Sequence, residues 1–296
     1  MTNERGPRIE LGNGVEMPVL GLGVFLSPRD RTAEAVETAI EKGYRLIDTA
    51  AAYNNERQVG EGIRRSGIDR ADVFVTTKLW LFDYGYDSAL RAFDASLRRL
   101  GVDYVDLYLL HWPVPSDFAA TVDSYRAAEK LLGEGRSRAI GVSNFEPHHL
   151  ENLIAQTDVV PAVNQVELHP YFIQEDVRAA NGRHGVITQS WSPIGGVYDR
   201  RRPGEGAPLA DPVVLDLASK HGKTPAQIIL RWHVEHGLST IPKSVTASRI
   251  AENIDVFDFA LAPDEIAAID ALDTGVRAGS DPEKVDVGTF EITIED

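Results

Sequence analysis

Four ionisable side chains fall at or just after the ends of three successive short apolar segments. Asp48 ends one segment and Tyr53 follows it, Lys78 ends the next, and His111 ends the third. Each residue alone has an ordinary explanation as a turn residue, a helix cap, a solvated cation or a hydrogen-bonded wall residue. If the segments are neighbouring parallel strands of a barrel, their carboxyl ends meet at one rim. The spacing therefore predicts that the four groups come together.

Such a set suits the reduction of a carbonyl group. Negative charge develops on the carbonyl oxygen when its carbon receives a hydride, and that oxygen must then be protonated. Tyr53 would donate the proton, and the ammonium of Lys78 is expected to lower the phenol's ordinary pKa of about 10 by favouring the phenolate. Asp48 would hold Lys78 charged, and His111 would orient the carbonyl. Because no side chain supplies a hydride, a cofactor is required.

A second candidate site lies in the segment 241–253. Lys243, Ser244, Thr246 and Arg249 place two cations and two hydroxyls around a predicted helix start, which itself favours anions. A capped surface helix with solvated charges is the alternative. Two cations in an otherwise acidic chain favour a phosphate-rich ligand, and hence NADP(H) over NAD(H).

The elements that must position these groups alternate along the chain. A predicted β-hairpin at 8–18, with Asn13-Gly14 at its turn, precedes eight strand–helix units. The predicted strands are 19–23, 45–48, 73–78, 105–111, 138–142, 162–166, 186–190 and 239–242. Eight such units favour an α/β fold with a single (β/α)₈ TIM barrel, an N-terminal hairpin and extra helices. An open doubly wound sheet is the alternative, but its G-x-G-x-x-G fingerprint is missing after the first strand.

Composition limits the possible functions. The chain has 296 residues and a formal charge of −15, which argues against nucleic acid or an anionic membrane as a partner. There are no cysteines, which excludes thiolate catalysis and disulfides. The opening segment is charged and no apolar run approaches the roughly 20 residues that span a bilayer, so we expect a cytoplasmic protein.

No composition break divides the chain. We expect one domain over 1–296, in which 276–296 forms a polar, acidic C-terminal tail or loop. The loop 195–208 is long for a compact domain. Its Arg200–Arg202 could cross a bound pyrophosphate or recognise an anionic substrate, although a solvated basic loop is the favoured interpretation.

Several stretches together resemble the aldo-keto reductases in collinear order from about Leu11 to Leu272. The main matches are Gly43–Glu56, Leu107–Pro113 and Ile241–Asn253, and shorter ones are Gly141–Phe145, Val163–Pro170 and Val256–Phe259. The branch of prokaryotic 2,5-diketo-D-gluconate reductases looks most similar, judged by Gly23–Phe25, Thr76–Trp80, His221–Gln227 and Trp191.

The resemblance implies an NADPH-dependent reductase in which Asp48, Tyr53, Lys78 and His111 match the family's catalytic tetrad. It also implies cofactor contacts. Ser143, Asn144 and Gln165 match residues that bind the nicotinamide carboxamide, and Trp191 falls where an aromatic ring packs against the nicotinamide. The remaining matches are Gly23 and Val24 (the latter at a position where threonine is common), Ser192, Ile194 and Gly195 on the pyrophosphate side, and Lys243, Ser244, Val245, Thr246, Arg249, Glu252 and Asn253 around the adenosine 2′-phosphate and adenine.

The substrate pocket is predicted from aromatic residues that follow strand ends. Phe25, Trp80 and Trp112 would surround the tetrad with apolar walls that suit small aldehydes, ketones and dicarbonyls. His148 and His149 are expected on the surface, and no metal-ligand spacing is present, so no metal is expected. The family is mostly monomeric, and we expect a monomer.

Two other functions fit parts of the sequence. One is a regulatory subunit that binds NADPH with little turnover, which the complete tetrad disfavours. The other is a lyase that forms a Schiff base on Lys78, which a permanently charged lysine paired with Asp48 disfavours.

Overall fold

The computed structural model describes residues 6–196 and 207–295. The Arg200–Arg202 prediction lies outside the described residues. An antiparallel hairpin opens the chain, with register pairs Arg8↔Pro18 and Glu10↔Glu16. The predicted N-terminal hairpin is therefore confirmed.

Strands and helices then alternate as the sequence predicts. The strands are β1 Arg8–Glu10, β2 Glu16–Pro18, β3 Leu22–Gly23, β4 Leu46–Asp48, β5 Phe74–Leu79, β6 Val105–Leu110, β7 Ser137–Ser143, β8 Val163–Glu167, β9 Ile187–Trp191 and β10 Ser239–Thr240. The helices are α1 Arg29–Glu41, α2 Glu56–Arg65, α3 Tyr86–Leu100, α4 Phe118–Gly133, α5 Pro147–Ile154, α6 Glu175–Arg183, α7 Pro212–His221, α8 Pro225–Glu235, α9 Ala247–Ile254 and α10 Pro263–Asp270.

Strands β3 to β10 form a sheet of eight parallel strands in sequence order. Its first and last strands meet through parallel bridges that pair Leu20 with Thr240 and Gly23 with Lys243. The amide of Gly21 donates to the carbonyl of Thr240 at 2.9 Å. These contacts close the sheet, so the predicted (β/α)₈ barrel is confirmed.

The barrel interior explains why one rim is left open for chemistry. Leu46, Phe74 and Leu107 form an apolar layer inside the barrel, and Leu11 and Met17 of the hairpin region pack against it. The hairpin therefore covers the amino-terminal end of the strands. The opposite end, where the strands finish, is free to carry polar groups, as in other barrels of this kind.

Two parts of the chain differ from the sequence-based expectation. Helix α10 was not predicted, although Pro263 at its first turn and two acidic residues, Asp264 and Glu265, are ordinary start signals. The predicted tail has no helix or strand in 276–295, but it packs on the rim through Val285 and Phe290. No helix among the described residues is both long and apolar enough to cross a membrane.

Candidate active site

The barrel brings the four predicted residues to the carboxyl-terminal rim. Asp48 ends β4, and Tyr53 lies in the single 3₁₀ turn that follows. Lys78 is the penultimate residue of β5, and His111 directly follows β6. Because β4, β5 and β6 are adjacent and parallel, the side chains converge as the sequence predicts.

Lys78 is at the centre of this cluster. Its ammonium donates to Asp48 Oδ1 at 2.6 Å, to the carbonyl of Thr49 at 3.0 Å and to the Tyr53 hydroxyl at 3.4 Å. The ring of His111 lies edge-on to that of Tyr53, with 5.7 Å between centroids. Lys78 and Asp48 are fully buried, so their interaction is weakly screened by water.

Burial dominates the protonation of the cluster. It raises the pKa of Tyr53 well above its usual value, and the Asp48 carboxylate raises it further. The net shift is therefore upward, and burial outweighs the lowering that we expect from the Lys78 ammonium. Burial lowers the pKa of Lys78 and raises that of Asp48, and their mutual attraction opposes both shifts. The Tyr53 hydroxyl keeps its proton at neutral pH.

His111 stays neutral as well. Burial, reinforced by the nearby Lys78 charge, lowers its pKa well below the usual value. Its Nδ1 has no hydrogen-bond partner among the described residues, which is unusual for a buried ring nitrogen. Trp80 packs edge-on against the ring and Trp112 stacks on it, with centroid distances of 5.0 Å and 6.5 Å. The ring is thus held by aromatic neighbours.

A cavity of about 500 Å³ opens beside this cluster. Predicted site residues that line it are Gly23, Phe25, Asp48, Tyr53, Trp80, His111, Trp112, Ser143, Asn144, Gln165, Trp191, Ser192, Ile194 and Lys243. Lys78 does not line the cavity, which argues against a Schiff base at its amine. Residues that the sequence reasoning missed are Leu26, Ala52, Pro193, Gly196, Ile241, Gly279, Ser280, Phe290 and Ile292.

A wall of amide and hydroxyl groups lines the cavity next to the tetrad. The indole Nε1 of Trp191 donates to Asn144 Oδ1 at 2.9 Å, and Asn144 Nδ2 donates to the carbonyl of His111 at 2.9 Å. Gln165 Nε2 donates to Asp48 Oδ2 at 2.7 Å. Ser143 Oγ donates to the carbonyl of Gln165 at 2.7 Å. These bonds fix the wall relative to the tetrad.

The second predicted site surrounds the start of α9. The amide of Thr246 donates to Ser244 Oγ at 3.1 Å, just before the helix, and Arg249 is exposed in the first turn. Glu252 accepts a hydrogen bond from the Thr224 hydroxyl at 2.8 Å, and Asn253 is buried. Val24 is fully buried and is not among the residues that line the cavity.

These groups fit NADP(H) by their chemistry. An indole at the cavity wall can stack on a flat ring, and the amides and hydroxyl beside it suit a carboxamide. The backbone at Gly23 passes so close to β10 that an added Cβ would lie 2.7 Å from the carbonyl oxygen of Ile241. Lys243 and Arg249 near a helix amino terminus suit a phosphate.

The histidine pair on α5 differs from expectation. His148 is exposed, but His149 is buried, so its predicted surface position is wrong. His149 is buried because its Nδ1 accepts a hydrogen bond from the Glu146 amide at 3.2 Å and its ring packs on Phe145. Glu283 brings a carboxylate to both rings. An accepting Nδ1 leaves the proton on Nε2, which opposes metal ligation by that nitrogen.

Comparisons with known proteins agree with the fold and identify the family. The model of the aldo/keto reductase family matches residues 20–274. Morphine 6-dehydrogenase of Pseudomonas putida is 59% identical over 97% of this chain and 98% of its own length. Methylglyoxal reductase DkgA of Escherichia coli is 46% identical, covering 93% of this chain and 97% of its own length. The crystal structure of a Bombyx mori aldo-keto reductase in complex with NADP has a TM-score of 0.86 at 36% identity, covering 93% of this chain and 95% of that one.

The barrel, its polar rim and these matches define an NADP-dependent oxidoreductase. The chain belongs to the aldo/keto reductase family. The resemblance stated from the sequence is thereby confirmed at the level of the family.

Proposed function

We propose that this protein reduces aldehydes, ketones or dicarbonyls to alcohols with NADPH, and that Tyr53 is the proton donor. The observation that carries this proposal is the buried contact of Lys78 with both Asp48 and the Tyr53 hydroxyl, beside a neutral His111 at the cavity wall.

Each of the four rim residues has its own role in the reduction. When bound, NADPH supplies the hydride for the carbonyl carbon. The Tyr53 hydroxyl, protonated at neutral pH, gives its proton to the carbonyl oxygen. Lys78 stabilises the phenolate that remains, and Asp48 holds the ammonium in place. The neutral ring of His111 orients the carbonyl through a hydrogen bond.

The cofactor positions follow the same proposal. Ser143, Asn144 and Gln165 would hold the nicotinamide carboxamide, and Trp191 would pack against the ring. Gly23, Ser192, Ile194 and Gly195 would border the pyrophosphate. Residues assigned to the adenosine end are Lys243, Ser244, Val245, Thr246, Arg249, Glu252 and Asn253. Support comes from the cavity wall and from the cations at the start of α9.

Phe25, Trp80 and Trp112 would form the substrate walls, and Phe290 adds a fourth ring 5.5 Å from Trp80 and 5.8 Å from Trp112. Apolar walls discriminate weakly between related carbonyl compounds, by about 1–3 kcal/mol per methylene. The names of the two relatives, methylglyoxal reductase and morphine 6-dehydrogenase, agree with a family site that accepts compounds of different size.

We also propose that the whole chain forms one domain. Residues 276–295 pack on the barrel rim rather than apart from it, as the salt bridge of Arg29 with Glu295 at 2.6 Å illustrates. The expectations of a monomer and of a cytoplasmic protein stay predictions.

Loss of NADPH absorbance with a panel of carbonyl compounds tests the proposal. Tyr53→Phe should lower kcat by about 10²- to 10⁴-fold while NADPH still binds, because the ring is kept and only the acidic hydroxyl is removed. Tyr125→Phe is the matched control, since Tyr125 is a buried tyrosine of α4 whose hydroxyl bonds to nothing in the part of the chain that the structure describes. Unchanged turnover in Tyr53→Phe would refute the acid assignment. Tight NADPH binding without turnover in the unmodified protein would favour the regulatory subunit.

A further inference from the structure

Glu167 is a fully buried carboxylate that the proposed mechanism does not use. It ends β8 and accepts hydrogen bonds from the amides of Ala278 and Gly279 at 2.9 Å and 2.7 Å. His169 Nε2 lies 3.1 Å from Glu167 Oε1, the oxygen that also accepts from the Ala278 amide. A buried carboxylate is costly unless such donors satisfy it. Two of those donors are backbone amides of the C-terminal segment, residues 276–295.

Gly279 fits tightly between Glu167 and the cavity wall. A Cβ at this position would lie 2.5 Å from Glu167 Oε2 and 2.6 Å from Trp191 Cη2. Glu167 and Trp191 are register partners on β8 and β9, so the carboxylate and the indole are neighbours. The C-terminal segment therefore lies directly on the indole at the point where Glu167 holds it.

The indole is held from its other edge as well, because its Nε1 donates to Asn144. From Gly279 the segment continues along the cavity, where Ser280, Phe290 and Ile292 form part of the lining. Its ion pairs lie closer to solvent than Glu167 does: the side chains of Arg277 and its partner Glu146 are 18% and 22% exposed. The ion pair of Glu283 with His148, for example, has side-chain exposures of 47% and 64%.

Exposed ion pairs contribute little to stability, whereas charge-assisted hydrogen bonds inside a protein are strong. We propose that Glu167 is a positioning residue, whose carboxylate holds the C-terminal segment against Trp191 and over the substrate cavity. Glu167 acts through Ala278 and Gly279 and does not touch the reacting atoms. This inference rests on the proposed function of the same cavity.

Amide hydrogen exchange of the intact protein, without substrate, tests the anchor directly. In Glu167→Gln, one carboxylate oxygen becomes an amide NH₂ that cannot accept from a backbone N–H. We expect exchange at Ala278 and Gly279 to accelerate by about tenfold or more, as the bonds open more often. The KM for a carbonyl substrate should rise by a similar factor while kcat changes less than about threefold.

Asp106→Asn is the matched control. Asp106 is a buried carboxylate on β6 that accepts from the Val75 amide at 2.9 Å and pairs with Arg70 and Arg138. Its substitution should reduce global stability without a selective change in exchange at Ala278 and Gly279 or in KM. An equal effect of Asp106→Asn on both would overturn the proposal.

Gly279→Ala perturbs the same contact with the carboxylate intact. Its added Cβ must displace the segment from Trp191 and Glu167, so we expect the same rise in exchange and in KM. Gly279→Ala also tests the proposal if Glu167→Gln does not fold. Exchange at the wild-type rate in either folded variant would refute the proposal that Glu167 holds the C-terminal segment. Faster exchange with an unchanged KM would show that Glu167 has only a structural role, and it would refute its role in positioning the cavity wall. If the unmodified protein lacked turnover, the proposed function would fail, whereas the exchange result would still decide the anchor.

Discussion

The ammonium of Lys78 donates a 2.6 Å hydrogen bond to the carboxylate of Asp48, and neither side chain reaches solvent. Both charges have lost their hydration, so each depends on the other for compensation. Removing one partner leaves an uncompensated buried charge. Removing both partners abolishes the ion pair but leaves no unpaired charge behind.

This dependence predicts strong coupling between the two positions. Asp48→Asn should lower the free energy of unfolding by about 3–5 kcal/mol, the usual cost of breaking a buried pair. The double variant Asp48→Asn/Lys78→Met should regain a large part of that loss while remaining inactive. Urea unfolding of the two single variants and the double variant measures the coupling. Losses that simply add would contradict a coupled buried pair.

The exposed pair of Arg126 with Asp123, 51% and 53% exposed, provides a control on α4. Replacing either partner should change the free energy of unfolding by less than about 1 kcal/mol, because water screens the charges.

The hydrogen bond from Trp191 to Asn144 predicts a loss of cofactor affinity in Trp191→Phe. The variant keeps an aromatic ring but leaves Asn144 Oδ1 without its donor. An unsatisfied buried acceptor costs about 1–3 kcal/mol. In the free protein the amide of Asn144 can turn towards water in the cavity, but beneath a bound nicotinamide it cannot, so the Kd for NADPH should rise by up to about 150-fold. A fluorescence or calorimetric titration measures it.

Trp232→Phe is the matched control for that experiment. Trp232 is fully buried, its Nε1 donates to Asp270 at 2.8 Å, and neither residue lines the cavity. Its loss should lower stability and leave the Kd for NADPH unchanged. Equal Kd values in the two tryptophan variants would refute a specific role for the indole of Trp191.

The convergence of the four rim residues could be predicted because it depends on topology. Once β4, β5 and β6 are known to be adjacent and parallel, Asp48, Lys78 and His111 must share a rim. The direction of the Tyr53 pKa could not be predicted, because the depth of burial is not readable from the sequence and it outweighs the nearby ammonium.

The C-terminal part of the cavity was missed for a different reason. Phe290, Ile292 and Ile294 alternate with polar residues, but a pattern this short does not indicate which surface it meets. Their packing against Trp80 and Trp112 depends on contacts between residues that are 178 to 214 positions apart in the chain. The burial of His149 depends on a local cap with Glu146, which its position in the first turn of α5 could have suggested.

The aromatic part of the cavity predicts a preference for uncharged carbonyl compounds. The rings of Phe25 and Tyr53 lie 5.0 Å apart, and those of Trp80, Trp112 and Phe290 pack on one another. Placing a carboxylate against these rings removes its water without replacing it. The kcat/KM for benzaldehyde should therefore exceed that for 4-carboxybenzaldehyde by about tenfold or more.

Phe290→Ala tests the same aromatic wall by changing the protein instead of the substrate. It should lower kcat/KM for benzaldehyde by about tenfold, because a packed ring is lost next to the substrate. Phe82→Ala removes an exposed ring that does not line the cavity, and it should leave kcat/KM unchanged. In the unmodified protein, a higher kcat/KM for 4-carboxybenzaldehyde than for benzaldehyde would contradict an apolar substrate wall.

Buried His233 predicts that acid destabilises the fold. Its ring lies 3.2 Å from Ser190 Oγ and 3.1 Å from the carbonyl of Pro193, and burial lowers its pKa to about 3. In the unfolded chain the pKa returns to about 6.5, so between these values the unfolded state binds more protons. Stability from this group is therefore complete above pH 6.5 and is lost as the pH falls towards 3, by up to about 1.4 kcal/mol per pH unit.

Urea unfolding at pH 7, 6 and 5 measures this loss. His233→Gln removes the titrating ring, so the decrease in unfolding free energy between pH 7 and pH 5 should be about 1–2 kcal/mol smaller than in the unmodified protein. His184→Gln, at a partly exposed histidine that follows α6, is the comparison variant and should retain the full decrease. Removing His233 must reduce the dependence of the unfolding free energy on pH in this range. If the His233→Gln protein lost as much stability between pH 7 and pH 5 as the unmodified one, the assignment of this loss to His233 would be wrong.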